Sequence, residues 1–226
     1  MREFNALKNY PQPKNIRYVH KDMRTIQSKI IASYRDEEYY DGSRLNGYGG
    51  YKYDGRWKDI AQFMYEEYDL NENSSILQIG CEKGFLLHDF KEIFPSINVI
   101  GTEISSYAIQ KAMDSIHSNI FKIDSFINSP FDDNSFDLVL AIGVVYCLNL
   151  ADAIKCIKEI QRVSKGKSFI TLGAYEDDES LKLFKMWSVL GSTILHVDEW
   201  KDVLTHCGYS GDYAFVTAKT LNLKEK

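Results

Sequence analysis

Residues Ser75–Ser105 read SILQIGCEKGFLLHDFKEIFPSINVIGTEIS. A short apolar strand, Ile76 to Ile79, runs into a glycine turn at Gly80 and Gly84. Phe85 to Phe94 has the spacing of a helix and is stopped by Pro95. Ile97 to Gly101 is the next strand. Working outward, the alternation continues. Tyr107 to Met113 reads as a helix, Ile120 to Ile123 as a strand, and Phe136 to Ile142 as a strand apolar enough to be buried on both faces. Leu150, Ala153, Ile154, Ile157 and Ile160 mark a helix, and Ser168 to Leu172 a fifth strand. Helices near Ser180–Val189 and Glu199–Cys207 and a strand near Tyr213–Thr217 complete the chain. Strand and helix in strict alternation predict an α/β fold, a doubly wound, mostly parallel sheet. Ligands of such sheets bind beyond the carboxyl ends of the strands, at the switch in strand order.

The segment before Trp57 differs. Met23, Ile26, Ile30 and Tyr34 form a helical stripe. Asp41 to Gly55 (DGSRLNGYGGYKYDG) has too much glycine for a helix. Trp57, Ile60, Ala61 and Met64 then share one helix face. The expected division is residues 1–56, helices and a Gly/Tyr-rich lid, and 57–226, the sheet domain. Apolar and aromatic residues near the N-terminus could serve a homodimer as easily as a lid.

Composition narrows the function classes. The 226 residues are 44% hydrophobic and 26% charged, with a net charge of −5. That balance argues against nucleic acid, whose phosphates need clustered Lys and Arg. Cys81, Cys147, Cys156 and Cys207 show no C-x-x-C spacing, so no metal site is expected. No apolar run suggests a signal peptide or a membrane span, so the expected location is the cytoplasm.

Gly80 lets the backbone turn close to a ligand, with Cys81 and Glu82 in the turn and Gly84 opening the helix. A dinucleotide fingerprint needs glycines at 80, 82 and 85, where this chain has Gly80, Glu82 and Phe85. A carboxylate at 82 would repel a pyrophosphate at the helix N-terminus. S-adenosylmethionine (SAM) has no phosphate and carries a sulfonium cation, so the turn favours SAM over NAD. Glu103 ends the second strand about 20 residues after the turn, where a ribose-binding acid belongs. Its charge-assisted hydrogen bonds would be worth roughly 1.5–3 kcal/mol. Ile104 follows it. Asp124 and Ser125 end the third strand and suit the adenine amino group, although Asp there often only caps a turn. Ala141 ends the fourth strand.

Together, ILQIGCEKG, NVIGTEIS, KID, SPFDDNSFDLVLA and IKEIQRVSKGKSFIT resemble the class I SAM-dependent methyltransferases over Ser75 to Thr171. The flanks, GYGGYKYDGRW at Gly47–Trp57 and GYSGDY at Gly208–Tyr213, resemble a bacterial group linked to surface-sugar biosynthesis. The resemblance implies a Rossmann-like fold and transfer of a methyl group from SAM to a small molecule, leaving S-adenosylhomocysteine (SAH). The implied acceptor is a sugar or phosphorylated precursor of capsule polysaccharide, methylated on oxygen. Two departures stand out: Gln78 replaces the acid that helps hold the methionine amino group, and Glu82 replaces the middle glycine.

A hydroxyl nucleophile needs a base, and His suits neutral pH. His196, in LHVDEW, is the histidine best placed by sequence to face a pocket, and a surface or core role is as well supported. Tyr146 is the second catalytic candidate, since its hydroxyl needs a partner if buried. Tyr51 and Tyr53 are expected to line the methyl channel, where aromatic faces favour a cation. Arg56 is expected to hold the methionine carboxylate in a bidentate pair. Two rival readings stand beside this one: a non-catalytic or partner-dependent SAM-binding subunit, and an NAD-dependent oxidoreductase.

Overall fold

The computed structural model describes residues 1–13 and 15–226. The chain begins with β1 (Arg2–Glu3), β2 (Arg17–Val19), α1 (Ile26–Ser33), α2 (Glu37–Tyr40) and α3 (Lys58–Glu67). The alternating part runs β3 (Ser75–Ile79), α4 (Phe85–Ile93), β4 (Asn98–Glu103), α5 (Ser106–Gln110), β5 (Ile120–Lys122), β6 (Leu138–Ala141), α6 (Leu150–Val163) and β7 (Ser168–Tyr175). It ends with α7 (Asp178–Trp187), β8 (Leu195–His196), α8 (Val197–His206), β9 (Asp212–Val216) and β10 (Leu223–Glu225).

The main sheet has the order β1-β9-β7-β6-β3-β4-β5, with β8 added beside β7, and its described pairings are all parallel. This is the Rossmann-like, doubly wound fold. The chain steps from β3 outward to β4 and β5, then returns to the other side of β3 as β6. The switch point therefore lies between β3 and β6. The period of two along each strand divides the core. Ile76, Leu138 and Leu140 face one side, with Ile60 and Met64 of α3 and Leu86, Leu87 and Phe90 of α4. Leu77, Val139 and Ala141 face the other, with Ile157 and Ile160 of α6 and Trp200 of α8. Helices on both faces explain why β6 is buried throughout.

Two features revise the expected organisation. The segment before Trp57 is woven into the sheet domain: β1 pairs with β9, and β2 pairs with β10 at the opposite end of the chain. Arg2 fastens β1 by donating from Nε and Nη2 to the two oxygens of Asp212 (2.9 and 2.7 Å). The apolar stripe before residue 35 also faces outward, except for Met23, which packs beside Val19 and Leu183. Ile26 and Tyr34 are 74% and 71% exposed, and α1 seats itself instead through Ser28 and Ala32. Among the described residues, no helix is long and apolar enough to cross a membrane.

The GYSGDY segment is structural. Tyr209 donates its hydroxyl to the Asp212 carbonyl (2.8 Å) and accepts from Ser168 Oγ (3.0 Å). A Cβ at Gly211 would meet Ser168 Oγ at 2.1 Å. Glycine is thus needed there for β9 to approach β7.

Candidate active site

A cleft of about 620 Å³ opens at the carboxyl ends of β3, β4 and β6, at the switch point. From β3 it receives Gly80 and Glu82, from β4 Glu103, and from the loop after β6 Ile142, Gly143 and Val144. Gly80 has φ +67°, and a Cβ there would lie 2.5 Å from Val144 Cγ2. The glycine is required twice, by its backbone conformation and by its neighbour. Phe126 adds an apolar wall beside it.

Glu103 is fully buried. Its Oε1 accepts from the N–H groups of Ile104 (2.8 Å) and Ser105 (2.7 Å), and its Oε2 from the N–H of Glu82 (2.9 Å). A carboxylate offers about four lone-pair sites. One is left for a ligand hydroxyl. The same bonds give Glu103 a second role: it holds the glycine turn in shape, including Glu82 at φ +54°.

Glu82 Oε1 accepts from the Tyr48 hydroxyl (2.6 Å). Burial pushes its carboxyl up to about 7; the Tyr48 hydrogen bond opposes this and the charge of Glu103 adds to it. Lys83 is buried and donates to Asp41 Oδ2 (2.7 Å) and to the Tyr51 carbonyl (2.8 Å). It lies about 5.8 Å from the ring centres of Tyr40 and Tyr51 and 5.7 Å from that of Tyr107. Burial pushes Asp41 upward, but bonds from Lys83, Tyr107 and the Tyr51 N–H outweigh it and hold the group below the usual range. Lys83 thus pins the tyrosine-rich segment over the glycine turn.

The remaining sequence candidates divide clearly. Tyr51 and Arg56 line the cleft, but the Arg56 guanidinium is engaged by Asp54 (Nε to Oδ1, 2.8 Å) and by the Tyr10 hydroxyl (3.0 Å). Its expected carboxylate partner is therefore replaced by one inside the chain. Tyr53 is turned away, its hydroxyl donating to Asp89 on α4. Tyr146 lines the cleft, and burial pushes its hydroxyl far above the usual tyrosine range, so it stays protonated. His196 is outside the cleft lining. It caps α8, its Nδ1 accepting from the Asp198 N–H (3.3 Å) while Glu199 accepts from the His196 N–H (2.7 Å). A local cap has taken the residue read as a base.

Gln78, Cys81 and Ala141 are buried beneath the cleft floor, and Gln78 Oε1 has no hydrogen-bond partner among the described residues. Gly84 opens α4 in a left-handed conformation against Ile116. Ile104 contributes its N–H to Glu103. Asp124 is exposed and outside the lining, and Ser125 Oγ accepts from the Ile127 N–H (3.4 Å). Phe126 instead reaches the cleft from this turn. Among the described residues, no cluster of His, Cys, Asp or Glu could hold a metal.

Sequence reading missed Lys83, Asp41 and four arginines of the cleft lining: Arg17, Arg24, Arg35 and Arg44. A signal was there. Arg2, Arg17, Arg24, Arg35, Arg44 and Arg56 all precede residue 57, and Arg162 alone follows it.

The residues fit SAM. Glu103 retains an acceptor site, Phe126, Ile142 and Val144 offer an apolar wall, and Glu82 adds a second carboxyl to the same end of the cleft. Residues 77–172 match the family described as "Methyltransferase domain". The chain is 25% identical over 161 residues to a phosphoethanolamine N-methyltransferase of Plasmodium falciparum, covering 67% of this chain and 59% of that one. It is 28% identical over 112 residues to an uncharacterised methyltransferase of Schizosaccharomyces pombe, covering 45% and 40%. The chain therefore spans about half the length of the curated relatives it matches. The fold is similar to that of the YcgJ protein of Bacillus subtilis, with a TM-score of 0.53, 17% identity, and coverage of 65% and 66%. Residues 77–172 are thus similar to a methyltransferase domain, and SAM is the cofactor such a domain takes.

Proposed function

We propose that the whole chain is a SAM-dependent methyltransferase acting in the cytoplasm on a small-molecule acceptor. Within that class we favour O-methylation of a sugar or phosphorylated precursor of surface polysaccharide, on the flanking motifs quoted above. The observation that carries the reading is the cleft itself. It joins an acidic end at the switch point, Gly80, Glu82 and Glu103, to a region lined by the N-terminal segment and residues 187–190.

When bound, SAM supplies a methyl group already activated on a sulfonium, so the protein's task is alignment. Glu103 receives the ribose side, and Phe126, Ile142 and Val144 flank the base. Arg35, in the cleft lining, takes the part foreseen for Arg56 toward the methionine carboxylate. Tyr48 and Tyr51 present aromatic surface suited to a cation. Among the cleft-lining residues described, Glu82 is the carboxyl pushed to near neutrality, and so the group suited to receive the acceptor's proton.

Calorimetry with SAM and SAH, with NAD as control, tests the reading. Binding of SAH but not NAD to the wild-type protein is expected. Failure of both SAM and SAH to bind folded protein would overturn it. SAM binding without turnover on any acceptor would support the partner-dependent subunit instead.

A further inference from the structure

The part of the cleft lined by the N-terminal segment is basic, in a protein whose net charge is −5. Arg17 enters it from β2, which is held by parallel pairing with β10. Arg24 enters from the turn before α1, and Arg44 from the loop after α2. Among the described residues, none of the three has a carboxylate within ion-pair distance, whereas Arg2, Arg56 and Arg162 each do.

Arg24 is the most informative. It is 8% exposed. Its Nε donates to the Trp187 carbonyl (3.0 Å) and its Nη1 to the carbonyls of Arg44 (2.6 Å) and Leu45. A guanidinium has five N–H donors. Those on Nη2 have no partner among the described residues. Burial, with the nearby charge of Arg44 second, lowers its affinity for its proton, and Arg17 is affected in the same order by the same two causes. Three arginines that repel one another are thus gathered in one wall, one of them buried and held rigid by backbone carbonyls. Buried charge without a counter-charge is unfavourable, and a bound anion would relieve it.

We infer that Arg17, Arg24 and Arg44 form a phosphate subsite for the acceptor, which is a phosphate ester or diphosphate. This rests on the reading of the cleft as a methyltransferase active site. Three positive charges match a phosphomonoester or diphosphate better than a single carboxylate, since a phosphomonoester carries about −1.5 to −2 at neutral pH. The planar donor fork of arginine suits phosphate oxygens. The charges also divide the cleft sensibly: the cationic methyl donor goes to the carboxylate end and the anionic acceptor to the arginine end.

The test is titration of inorganic pyrophosphate into the full chain by calorimetry, with malonate as the carboxylate control. It is run on wild type and on the double variant Arg17→Ala, Arg44→Ala. These two side chains are chosen because Arg24 makes three bonds to backbone carbonyls, whereas Arg44 makes one, from Nη1 to the Gly47 carbonyl, and circular dichroism checks the fold. Pyrophosphate should bind one to one, weaken as salt rises, and lose about tenfold or more in affinity in the double variant from lost charge-assisted bonds. SAH affinity, measured in parallel, should stay the same in both proteins. Absent pyrophosphate binding, unchanged binding in the folded double variant, or tighter binding of malonate would each overturn the subsite. If SAH binds while pyrophosphate does not, the subsite alone fails. If pyrophosphate binds as expected and SAH does not, the subsite stands and the methyltransferase reading fails.

Discussion

The two ends of the cleft are built on different principles. At the acidic end, Gly80, Glu82 and Glu103 lie close together in sequence, on a strand end, a turn and the next strand. Glu103 accepts from three backbone N–H groups of its own and the preceding turn, and Glu82 from the Tyr48 hydroxyl. At the basic end, Arg17, Arg24 and Arg44 come from separate segments, braced by residues near 187 and 222. Their charges have no carboxylate among the described residues. A site made from consecutive strand ends is preorganised by its own backbone hydrogen bonds. One gathered from distant segments is left with surplus charge, which points to the ligand.

Breaking the acidic end should have the largest effect. Glu103→Ala should weaken SAM by roughly 10–100-fold, from loss of charge-assisted hydrogen bonds. It should also lower the melting temperature, because three N–H groups, that of Ser105 buried, lose their acceptor. Calorimetry and thermal unfolding read the two effects separately, and normal SAM binding by folded mutant protein would remove the assigned role.

The link between the two ends is Lys83. Lys83→Met leaves Asp41 without its cation and should destabilise by ~1–3 kcal/mol, measured by denaturant unfolding. SAM affinity should fall as the tyrosine segment loosens. An unchanged midpoint would show that the ion pair does not hold the segment.

Glu82 sharpens the comparison through pH. Its folded-state carboxyl is raised to about 7, so the folded protein binds more protons than the unfolded chain between the ordinary glutamate range and neutrality. The sign follows: this contribution to stability is full below about 4.5 and is lost as pH rises through about 7. Melting temperatures between pH 5 and 7.5 should fall less steeply in Glu82→Gln than in wild type. A cation bound nearby favours the charged carboxylate, so SAM binding at pH 6.5 should release a proton. Calorimetry in buffers of different ionisation enthalpy detects it; equal heats in all buffers would contradict the placement.

The smallest effects fall outside both ends. His196→Ala should cost about 0.5–1 kcal/mol through loss of the α8 cap and leave methyl transfer unchanged. Arg56→Ala should leave SAM affinity unchanged, since Asp54 and Tyr10 hold the guanidinium. A large loss of SAM binding in Arg56→Ala would return the carboxylate role to it.

The sheet was legible in sequence because its signals are local. Apolar runs, helical spacing and Pro95 mark strands and helices within a few residues, and the structure moves most boundaries in the alternating part by only a few residues. Gly80 was legible because φ +67° and the approach of Val144 both demand glycine. The single departures, at Gln78 and Glu82, were visible but not their consequence. That consequence depends on Tyr48, 34 residues earlier, being brought against Glu82.

Hydrogen-bond competition misled the reading elsewhere. His196 and Arg56 have the right chemistry for the roles expected of them, yet each has a partner two or three residues away that local geometry favours. The outward stripe of α1 failed for a related reason. Periodicity states that one face is apolar, but which face meets the protein depends on the rest of the chain.

By itself, the sequence determined the strand and helix order, the glycine turn, the acid at Glu103 and the crowding of arginine into the segment before Trp57. Tertiary structure alone decided which arginines keep free donors. Charge pairing and burial depend on what lies within a few ångströms in space, and Arg24 meets Trp187, and Arg17 meets Asn222, only once the chain has closed around the cleft.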